Sequence, residues 1–185
     1  MTEESVLVEK LRKSDSREAA FRELVAAYQE RLYWHIRRIV LTHADTDDVL
    51  QETFIKVFRN IDSFKGNSKL YSWMYRIATN EALSFLKRNS KIQGVDQKEA
   101  EQLILKRLTA DPFFDGDQAE LDLQKALAAL PEKQRLVFNM KYFEEMKYDD
   151  ISEVLDTSVG ALKASYHLAV KKIKKHLKGH IPQTP

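Results

Sequence analysis

Aromatic and cationic side chains are interleaved over one short stretch of the first half of the chain. Phe64, Tyr71, Trp73 and Tyr75 are the aromatic members, and the cations among them are Lys65, Lys69, Arg76, Lys87 and Arg88. This combination suits single-stranded nucleic acid, because bases stack on rings for ~1–3 kcal/mol each while cations hold the backbone. Positions 71, 73 and 75 cannot all face one way on a helix, so at least one ring is expected outside the core, with Trp73 and Tyr75 partly structural.

The charges of the chain are distributed very unevenly around a formal net charge of only +2. Residues 161–180 contain six lysines and no acid, and residues 62–91 contain six Lys or Arg against two acids. Between them, residues 144–156 contain six acids against one lysine. Two basic zones separated by an acidic one indicate two surfaces that face polyanions, with a solvated lysine-rich helix as the alternative reading.

Composition indicates an all-α protein without a catalytic site. The chain has 185 residues, 5 Gly, 4 Pro and no Cys, which excludes disulfides and thiolate metal sites. It has no P-loop and no HExxH, its histidines lack a ligand-like pattern, and the Asp47-Asp48 pair suits the start of a helix. We therefore expect no enzyme activity, metal or cofactor.

With no export signal and no apolar run of ~18 residues, we expect a cytoplasmic chain without direct membrane insertion.

Helical periodicity predicts a first domain at residues 1–91. Three apolar stripes recur at helical spacing in three segments: Leu24 to Ile39, Leu50 to Ile61, and Met74 to Leu86. Asp45 and Thr46 are predicted to cap the second helix. The residues from Phe64 to Ser68 interrupt the pattern before the third.

Residues 92–118 are predicted to form an acidic linker. Asp111-Pro112 and residues 115–117 have the composition of turns, and a short helix is expected from Asp96 to Leu108. With that helix and otherwise extended chain, the linker would reach roughly 70 Å. Two turns of DNA span a similar roughly 70 Å.

Residues 119–180 are predicted to form a second small domain with a helix-turn-helix, followed by a tail at 181–185. Tyr148 to Leu155 form an amphipathic helix, Asp156-Thr157 a turn, and Ala161 to about Lys178 a basic helix capped by Ser158. Its predicted core-facing positions are Leu162, Ala169, Val170 and Ile173. Its predicted readers of DNA are Lys163, Ser165, Tyr166 and His167, while the later lysines would meet phosphates.

Several segments resemble bacterial sigma factors of the extracytoplasmic-function (ECF, group IV) type in the sigma-70 family. Residues 48–58 are similar to the segment that contacts the clamp helices of the largest RNA polymerase subunit. Residues 63–68 and 71–80 resemble the adjoining region, which melts and reads the minus-ten promoter element. Residues 130–135 and the helix-turn-helix resemble the C-terminal domain, which reads the minus-thirty-five element. The resemblance runs from about Glu18 to Leu177.

The resemblance implies a factor that binds core RNA polymerase, recognises and melts promoter DNA and directs transcription initiation. The implied polymerase-contact set is Asp48, Gln51, Glu52 and Phe54. The implied minus-ten set is Phe64, Lys65, Gly66, Asn67, Ser68, Arg76 and Asn80, in which the loop and Asn80 capture a flipped base. The implied minus-thirty-five set is Ser158, Lys163, Ser165, Tyr166, His167 and Lys171. The resemblance also implies a membrane-anchored anti-sigma partner and a linker that passes near the polymerase active-site cleft.

The chain departs from the family pattern at two places. Asp156 stands in the turn where glycine is common, and Ala164, Tyr166 and Leu168 stand where the reading helix often carries arginine. Without arginine, the usual bidentate reader of guanine, the sequence read at the upstream element is not predicted. Three alternatives stay open: a conventional helix-turn-helix regulator that binds duplex DNA alone, a helical adaptor without DNA binding, and an RNA-binding antiterminator.

Overall fold

The secondary structure is helical throughout the part of the chain that the computed structural model describes, residues 3–93, 97–111 and 116–179. The helices are α1 (Glu3–Arg12), α2 (Arg17–Val40), α3 (His43–Asn60), α4 (Leu70–Gln93), α5 (Gln97–Ala110), α6 (Gln118–Ala128), α7 (Glu132–Phe138), α8 (Tyr148–Leu155) and α9 (Val159–Lys178). A 3₁₀ turn, Ile61–Ser63, follows α3, and a π turn, Asn139–Phe143, continues α7. The expected all-α fold is confirmed. Over these ranges, no helix combines the length and apolar character needed to cross a bilayer.

Helices α1 to α4 form an N-terminal bundle around the three predicted stripes. Leu24, Leu32 and Ile36 of α2 have no exposed surface, and neither do Val57 of α3 and Met74 of α4. The three α2 positions are separated by eight and four residues, which places them on one face of the helix. The stripes therefore face a common core, as the periodicity predicts.

The predicted cap of α3 is wrong by three residues. Thr42 caps the helix, its hydroxyl accepting from the Asp45 backbone N–H at 3.3 Å. Asp45 lies in the first turn, where a carboxylate suits the helix dipole. Thr46 is fully buried and its hydroxyl donates to the Thr42 carbonyl at 2.6 Å. Thr42, Asp45 and Thr46 are all residue types that favour an N-cap position. Thr46 is buried inside the helix, so Thr42 is the residue that caps it.

The linker helix is present and its C-terminal end packs on the N-terminal bundle. It runs from Gln97 to Ala110, whereas Asp96, Pro112, Asp115 and the tail 181–185 lie outside the described residues. The Asp111 carboxylate accepts hydrogen bonds from the Arg37 guanidinium at 3.1 Å and from the His43 backbone N–H at 2.7 Å. Asp111 therefore secures the end of α5 at the start of α3.

Helices α6 to α9 form a C-terminal unit that contains the predicted helix-turn-helix. Asp156 lies in the left-handed region at φ 49° and ψ 52°, which aspartate tolerates better than most residues. The turn therefore forms without the common glycine. Leu162, Ala169 and Ile173 are buried as predicted, and Val170 is half-buried.

The N-terminal bundle and the C-terminal unit pack directly against each other. One continuous apolar core contains Ile36 and Met74 of the bundle together with Val137, Met140 and Ile151 of the C-terminal unit. Helix α8 packs along α4, and the π turn contacts α2. A second, smaller core lies within the C-terminal unit between α6, α7 and α9. The linker thus connects two units that share an interface.

Replacing Ser158 with alanine is expected to lower the free energy of unfolding by about 0.5–2 kcal/mol. The Ser158 hydroxyl accepts from the Ala161 N–H at 3.3 Å, and alanine leaves that donor without its side-chain partner. Urea unfolding followed by circular dichroism measures the difference. Ser84→Ala, at an exposed position inside α4, is the matched control and should be neutral or slightly stabilising. Equal losses in both variants would contradict a capping role.

Candidate nucleic-acid interface

Helix α9 presents a basic face whose exposed members include three of the predicted minus-thirty-five residues. Lys163, His167 and Lys171 are exposed at intervals of four residues, which aligns them along one side of the helix. The Lys163 ammonium lies 5.8 Å from the centre of the Tyr148 ring at the start of α8. This side of α9 can meet a polyanion without displacing the core-facing residues.

The other three predicted minus-thirty-five residues have internal contacts. Ser158 caps α9, and Tyr166 stacks on Phe138 with ring centres 5.8 Å apart and planes inclined by 17°. Ser165 is half-buried. Tyr166 therefore supports the packing of α9 on α7 and is only partly exposed.

The predicted minus-ten loop has an anchored start and an exposed middle. The Phe64 side chain is buried and its ring lies 5.3 Å from that of Trp73. Lys65, Gly66 and Asn67 are exposed, while Ser68 is half-buried. Gly66 has φ +73°, which side-chain-bearing residues rarely adopt. The loop thus projects its middle residues from a fixed base.

Helix α1 holds both ends of this loop, a role that sequence reasoning missed. The Arg12 guanidinium donates to the Phe64 carbonyl at the start of the loop. The Glu4 carboxylate accepts from the Leu70 N–H at 2.5 Å, where α4 begins. The loop partners of Arg12 and Glu4 lie 52 and 66 positions away along the chain, so no local pattern in the sequence identifies them.

Arg76 and Asn80, the predicted minus-ten residues of α4, lie beside the C-terminal unit. Both side chains are exposed and are separated by about one helical turn. The Arg76 guanidinium donates from Nε to the Glu153 carbonyl of α8 at 2.9 Å. Both residues line a cleft of about 440 Å³ whose opposite wall includes Leu136 and Val154. The structure therefore places this part of the minus-ten set at the junction of the two units.

The predicted polymerase-contact set divides into exposed and buried members. Asp48, Gln51 and Glu52 are exposed on α3 at helical spacing, so they share one face. Phe54 is only 9% exposed and its ring meets that of Phe21 edge-on. Phe54 and Phe21 line an open groove of about 770 Å³ between α2 and α3. Three polar side chains and an apolar groove therefore adjoin on this side of the bundle.

Comparison with known families and proteins places the two units in one family. Residues 24–92 match the family description "Sigma-70 region 2", and residues 120–173 match "Sigma-70, region 4". Together these matches span more than half of the chain. The ECF RNA polymerase sigma-E factor of Escherichia coli K12 is 32% identical over 169 residues, covering 87% of each chain. The chain belongs to the ECF group of the sigma-70 family.

Other relatives agree with this membership. The ECF RNA polymerase sigma factor SigW of Bacillus subtilis is 30% identical over 179 residues, covering 92% of this chain and 95% of SigW. Among solved structures, CnrH in complex with the cytosolic domain of CnrY has a TM-score of 0.71 at 21% identity, covering 95% and 97% of the two chains. The sigma factor RpoE of Bartonella quintana, in complex with the anti-sigma factor NepR, has a TM-score of 0.65 at 20% identity, covering 85% and 96%. These two structures show that the fold is shared.

A buried polar network connects the two units of this sigma-70 family chain. His35 of α2 is 1% exposed, and its ring nitrogens lie 2.8 Å from a Glu144 carboxylate oxygen and 2.8 Å from the Thr79 hydroxyl. The His35 ring is also 4.6 Å from the Tyr75 ring. Burial raises the pKa of Tyr75 well above its ordinary value of 10, and the charge of Glu144 raises it further.

A second polar contact crosses the same interface nearer to solvent. Asp150 of α8 accepts from the Lys69 ammonium at 2.8 Å and from the Tyr71 hydroxyl. Burial alone would raise the pKa of Asp150, but these two hydrogen bonds outweigh it and hold that pKa below its ordinary value of 3.8. Burial, followed by the bond to Asp150, raises the pKa of Tyr71. The acidic zone that contains Asp150 is evident in the sequence, but the sequence does not show that Lys69 and Tyr71 are the partners of Asp150.

The contribution of Asp150 to stability is expected to disappear in acid. Because its folded pKa is lowered, the contribution is complete above the ordinary pKa of 3.8 and is lost as pH falls through the lower, folded pKa. Asp150→Asn should therefore be less stable than the parent chain at pH 6, with the difference shrinking below about pH 4. Urea unfolding across this pH range tests it. A difference that stays constant with pH would contradict the assigned contacts.

Proposed function

We propose that this chain binds core RNA polymerase, recognises and melts promoter DNA, and directs transcription initiation. The observation that carries the proposal is that both sigma-70 regions are present, each with an exposed basic face. In the C-terminal unit this face lies on the second helix of a helix-turn-helix. In the N-terminal unit it lies around the loop before α4. No catalytic step is assigned to the chain, because binding and strand separation account for the whole role.

The C-terminal unit is proposed to read the minus-thirty-five element in the major groove. The N-terminus of α9 brings free N–H groups and positive dipole towards a phosphate. Lys163 and His167 are then the side chains best placed to reach base edges, because both are exposed within the first three turns. Lys171 and the lysines after it would fix the position of the helix through phosphates.

The N-terminal unit is proposed to capture a base of the non-template strand at the minus-ten element. Extruding a base costs a few kcal/mol, which stacking and hydrogen bonds to its edge must offset. Lys65, Gly66 and Asn67 project from the anchored loop, and Asn80 supplies an amide that both donates and accepts. Arg76, one turn before Asn80, would hold the strand through a phosphate.

The face formed by Asp48, Gln51 and Glu52 is proposed to bind the polymerase clamp helices, and the apolar groove beside it would widen this contact.

The proposed partners also include an anti-sigma factor. Two solved structures of the same fold are complexes with an anti-sigma factor or with the cytosolic domain of a partner. Affinity purification from source cells tests this part. Repeated recovery of polymerase without an inhibitory protein would count against it.

In vitro transcription is the direct test of the proposed function. Fragmented genomic DNA from the source organism would be transcribed by core polymerase with and without the chain, and RNA start sites mapped. The proposal predicts discrete new starts that share two upstream motifs. Tight binding of duplex DNA by the chain alone, without new starts, would instead indicate a conventional regulator. If the chain showed no salt-dependent affinity for DNA even in the presence of polymerase, it would instead be a helical adaptor that does not bind DNA.

Two alanine variants should separate the promoter elements. Asn80→Ala is expected to lower the rate of open-complex formation about tenfold, since contacts to one base are worth ~1–3 kcal/mol. Lys163→Ala should instead weaken the closed promoter complex and leave melting of bound promoter unchanged. Permanganate footprinting and filter binding measure the two steps. The control Gln29→Ala changes an exposed polar residue of α2 outside both sets and should match the parent. If neither step changes in either variant, the residue assignments are wrong.

A further inference from the structure

Helix α1 holds the minus-ten loop, Phe64 to Ser68, through main-chain atoms at its two ends. The Arg12 guanidinium donates to the Phe64 carbonyl, and the Glu4 carboxylate accepts from the Leu70 N–H at 2.5 Å. Neither bond uses a side chain of the loop. The side chains of Lys65 and Asn67 are exposed, so this anchoring leaves them available to contact a base.

The bond from Arg12 controls the direction in which the chain enters the loop. The buried Phe64 ring fixes where the loop starts, with its centre 5.3 Å from that of Trp73. The Phe64 backbone is extended, with φ −68° and ψ 111°. Because the peptide group is planar, a hydrogen bond to the Phe64 carbonyl also fixes the orientation of the next residue's N–H. Arg12 therefore constrains the path that leads to Lys65.

Helix α1 is itself fixed by burial. Val8 and Leu11 are 8% and 1% exposed and belong to the apolar core, and α1 packs on α2 and on the 3₁₀ turn before the loop. The two anchoring residues, Glu4 and Arg12, are eight positions apart, which is about 12 Å along the helix axis. One packed helix thus holds both ends of the loop at a set separation.

The apex of the loop has little to constrain it locally. Gly66 has φ +73°, and no heavy atom lies within 4 Å of the place where its Cβ would be. Glycine loses more conformational freedom on ordering than any other residue. Anchors outside the loop therefore reduce the entropy that the loop still has to lose when it captures a base.

We propose that Arg12 and Glu4 are positioning residues for base capture, so that α1 determines how sharply the minus-ten loop discriminates between bases. This inference rests on the proposed function of that loop. Neither residue touches the DNA in this role. A binding site must be held within about 0.5 Å of its productive geometry, and a loosened loop would adapt to other bases as well.

Transcription from a promoter library tests the proposal with the full chain and core polymerase. One mapped promoter would be randomised in its minus-ten element, and a second library in its minus-thirty-five element. At the minus-ten position that the parent selects most strongly, Arg12→Ala and Glu4→Ala should each lower the ratio of starts from the preferred base to starts from the least favoured base about tenfold. The preference at the minus-thirty-five element should not change. An unchanged minus-ten ratio would overturn the proposal.

Conservative and control variants separate positioning from a general effect on stability. Glu4→Gln keeps an oxygen that accepts from the Leu70 N–H and should retain most of the preference, and Arg12→Lys keeps a cationic donor. The matched controls are Glu9→Ala and Lys13→Ala, because these exposed residues of α1 and its end pair with each other at 2.7 Å. Both should match the parent. A role in stability alone would lower starts from all promoters alike and leave the ratio unchanged.

Amide hydrogen exchange measures the same anchors without polymerase or DNA. Exchange of the Leu70 N–H should be at least about tenfold faster in Glu4→Ala than in the parent and nearly unchanged in Glu4→Gln. Arg12→Ala should accelerate exchange across the loop. Circular dichroism establishes that each variant is folded. Unchanged exchange in both alanine variants would overturn the proposal.

The outcomes for the proposed function and for the positioning role are distinguishable. If the parent chain produced no new start sites, the proposed function would fail, and this inference with it. If the parent produced start sites and the alanine variants kept its base preference, the sigma function would stand and the positioning role alone would be rejected.

Discussion

The Ile36→Ala variant is expected to unfold with a free energy about 2–5 kcal/mol lower than that of the parent chain. Ile36 has no exposed surface and belongs to the core that both units share. Truncation removes apolar contacts and leaves a cavity that the surrounding helices fill only in part. Urea unfolding followed by circular dichroism measures the change. Gln29→Ala on the exposed face of α2 is the control and should stay within about 0.5 kcal/mol of the parent.

An Ile36→Ala loss below about 1 kcal/mol would mean that the site collapses fully, contrary to a close-packed core. Because Ile36 serves both units, its replacement should also weaken their association.

The His35→Ala variant is expected to lose about 3–5 kcal/mol, because it removes one member of a buried polar pair. Glu144 would keep its buried position without the His35 contact at 2.8 Å, and the Thr79 hydroxyl would lose its contact as well. Tyr75 also forms a hydrogen bond with Glu144, so the variant leaves this buried carboxylate with one partner fewer and more of its desolvation cost uncompensated. The chain is expected to relieve that cost by separating the two units.

A double-mutant cycle measures this interaction directly. Glu144→Ala alone and together with His35→Ala would be unfolded in urea beside the single variant. The double variant should be less destabilised than the sum of the two singles, with a coupling of about 0.5–3 kcal/mol. Losses that simply add would show that the two residues act independently. Ser84→Ala with Gln29→Ala provides a pair of exposed positions for which additivity is expected.

The helix-turn-helix is an element that local sequence patterns predict well. The bounds of α8, the turn at Asp156 and the cap at Ser158 all follow from residues within a few positions of one another. The stripes of α2, α3 and α4 are equally local, because helical periodicity alone defines which side is apolar. Thr42 and Asp45 are both suitable N-cap residues, and the local pattern does not predict which of them begins α3.

Individual site residues were harder to predict than their segments. The sequence identified the loop from Phe64 to Ser68, but not that the Phe64 ring is a core residue while its neighbours are exposed. In the same way Tyr166 lies on the reading helix yet stacks on Phe138. An aromatic side chain at a helix edge fits either a base or a neighbouring helix. The choice depends on what packs beside it.

The sequence by itself determined the all-α fold class, the helix-turn-helix and the basic faces, because each depends on spacing within one helix or one turn. Only the tertiary structure decided that α1 anchors the loop, that Asp111 holds the linker end, and that His35 meets Glu144 across the two units. These contacts join residues 52 to 109 positions apart. Their formation depends on the shape and burial of whole surfaces, which no local period encodes.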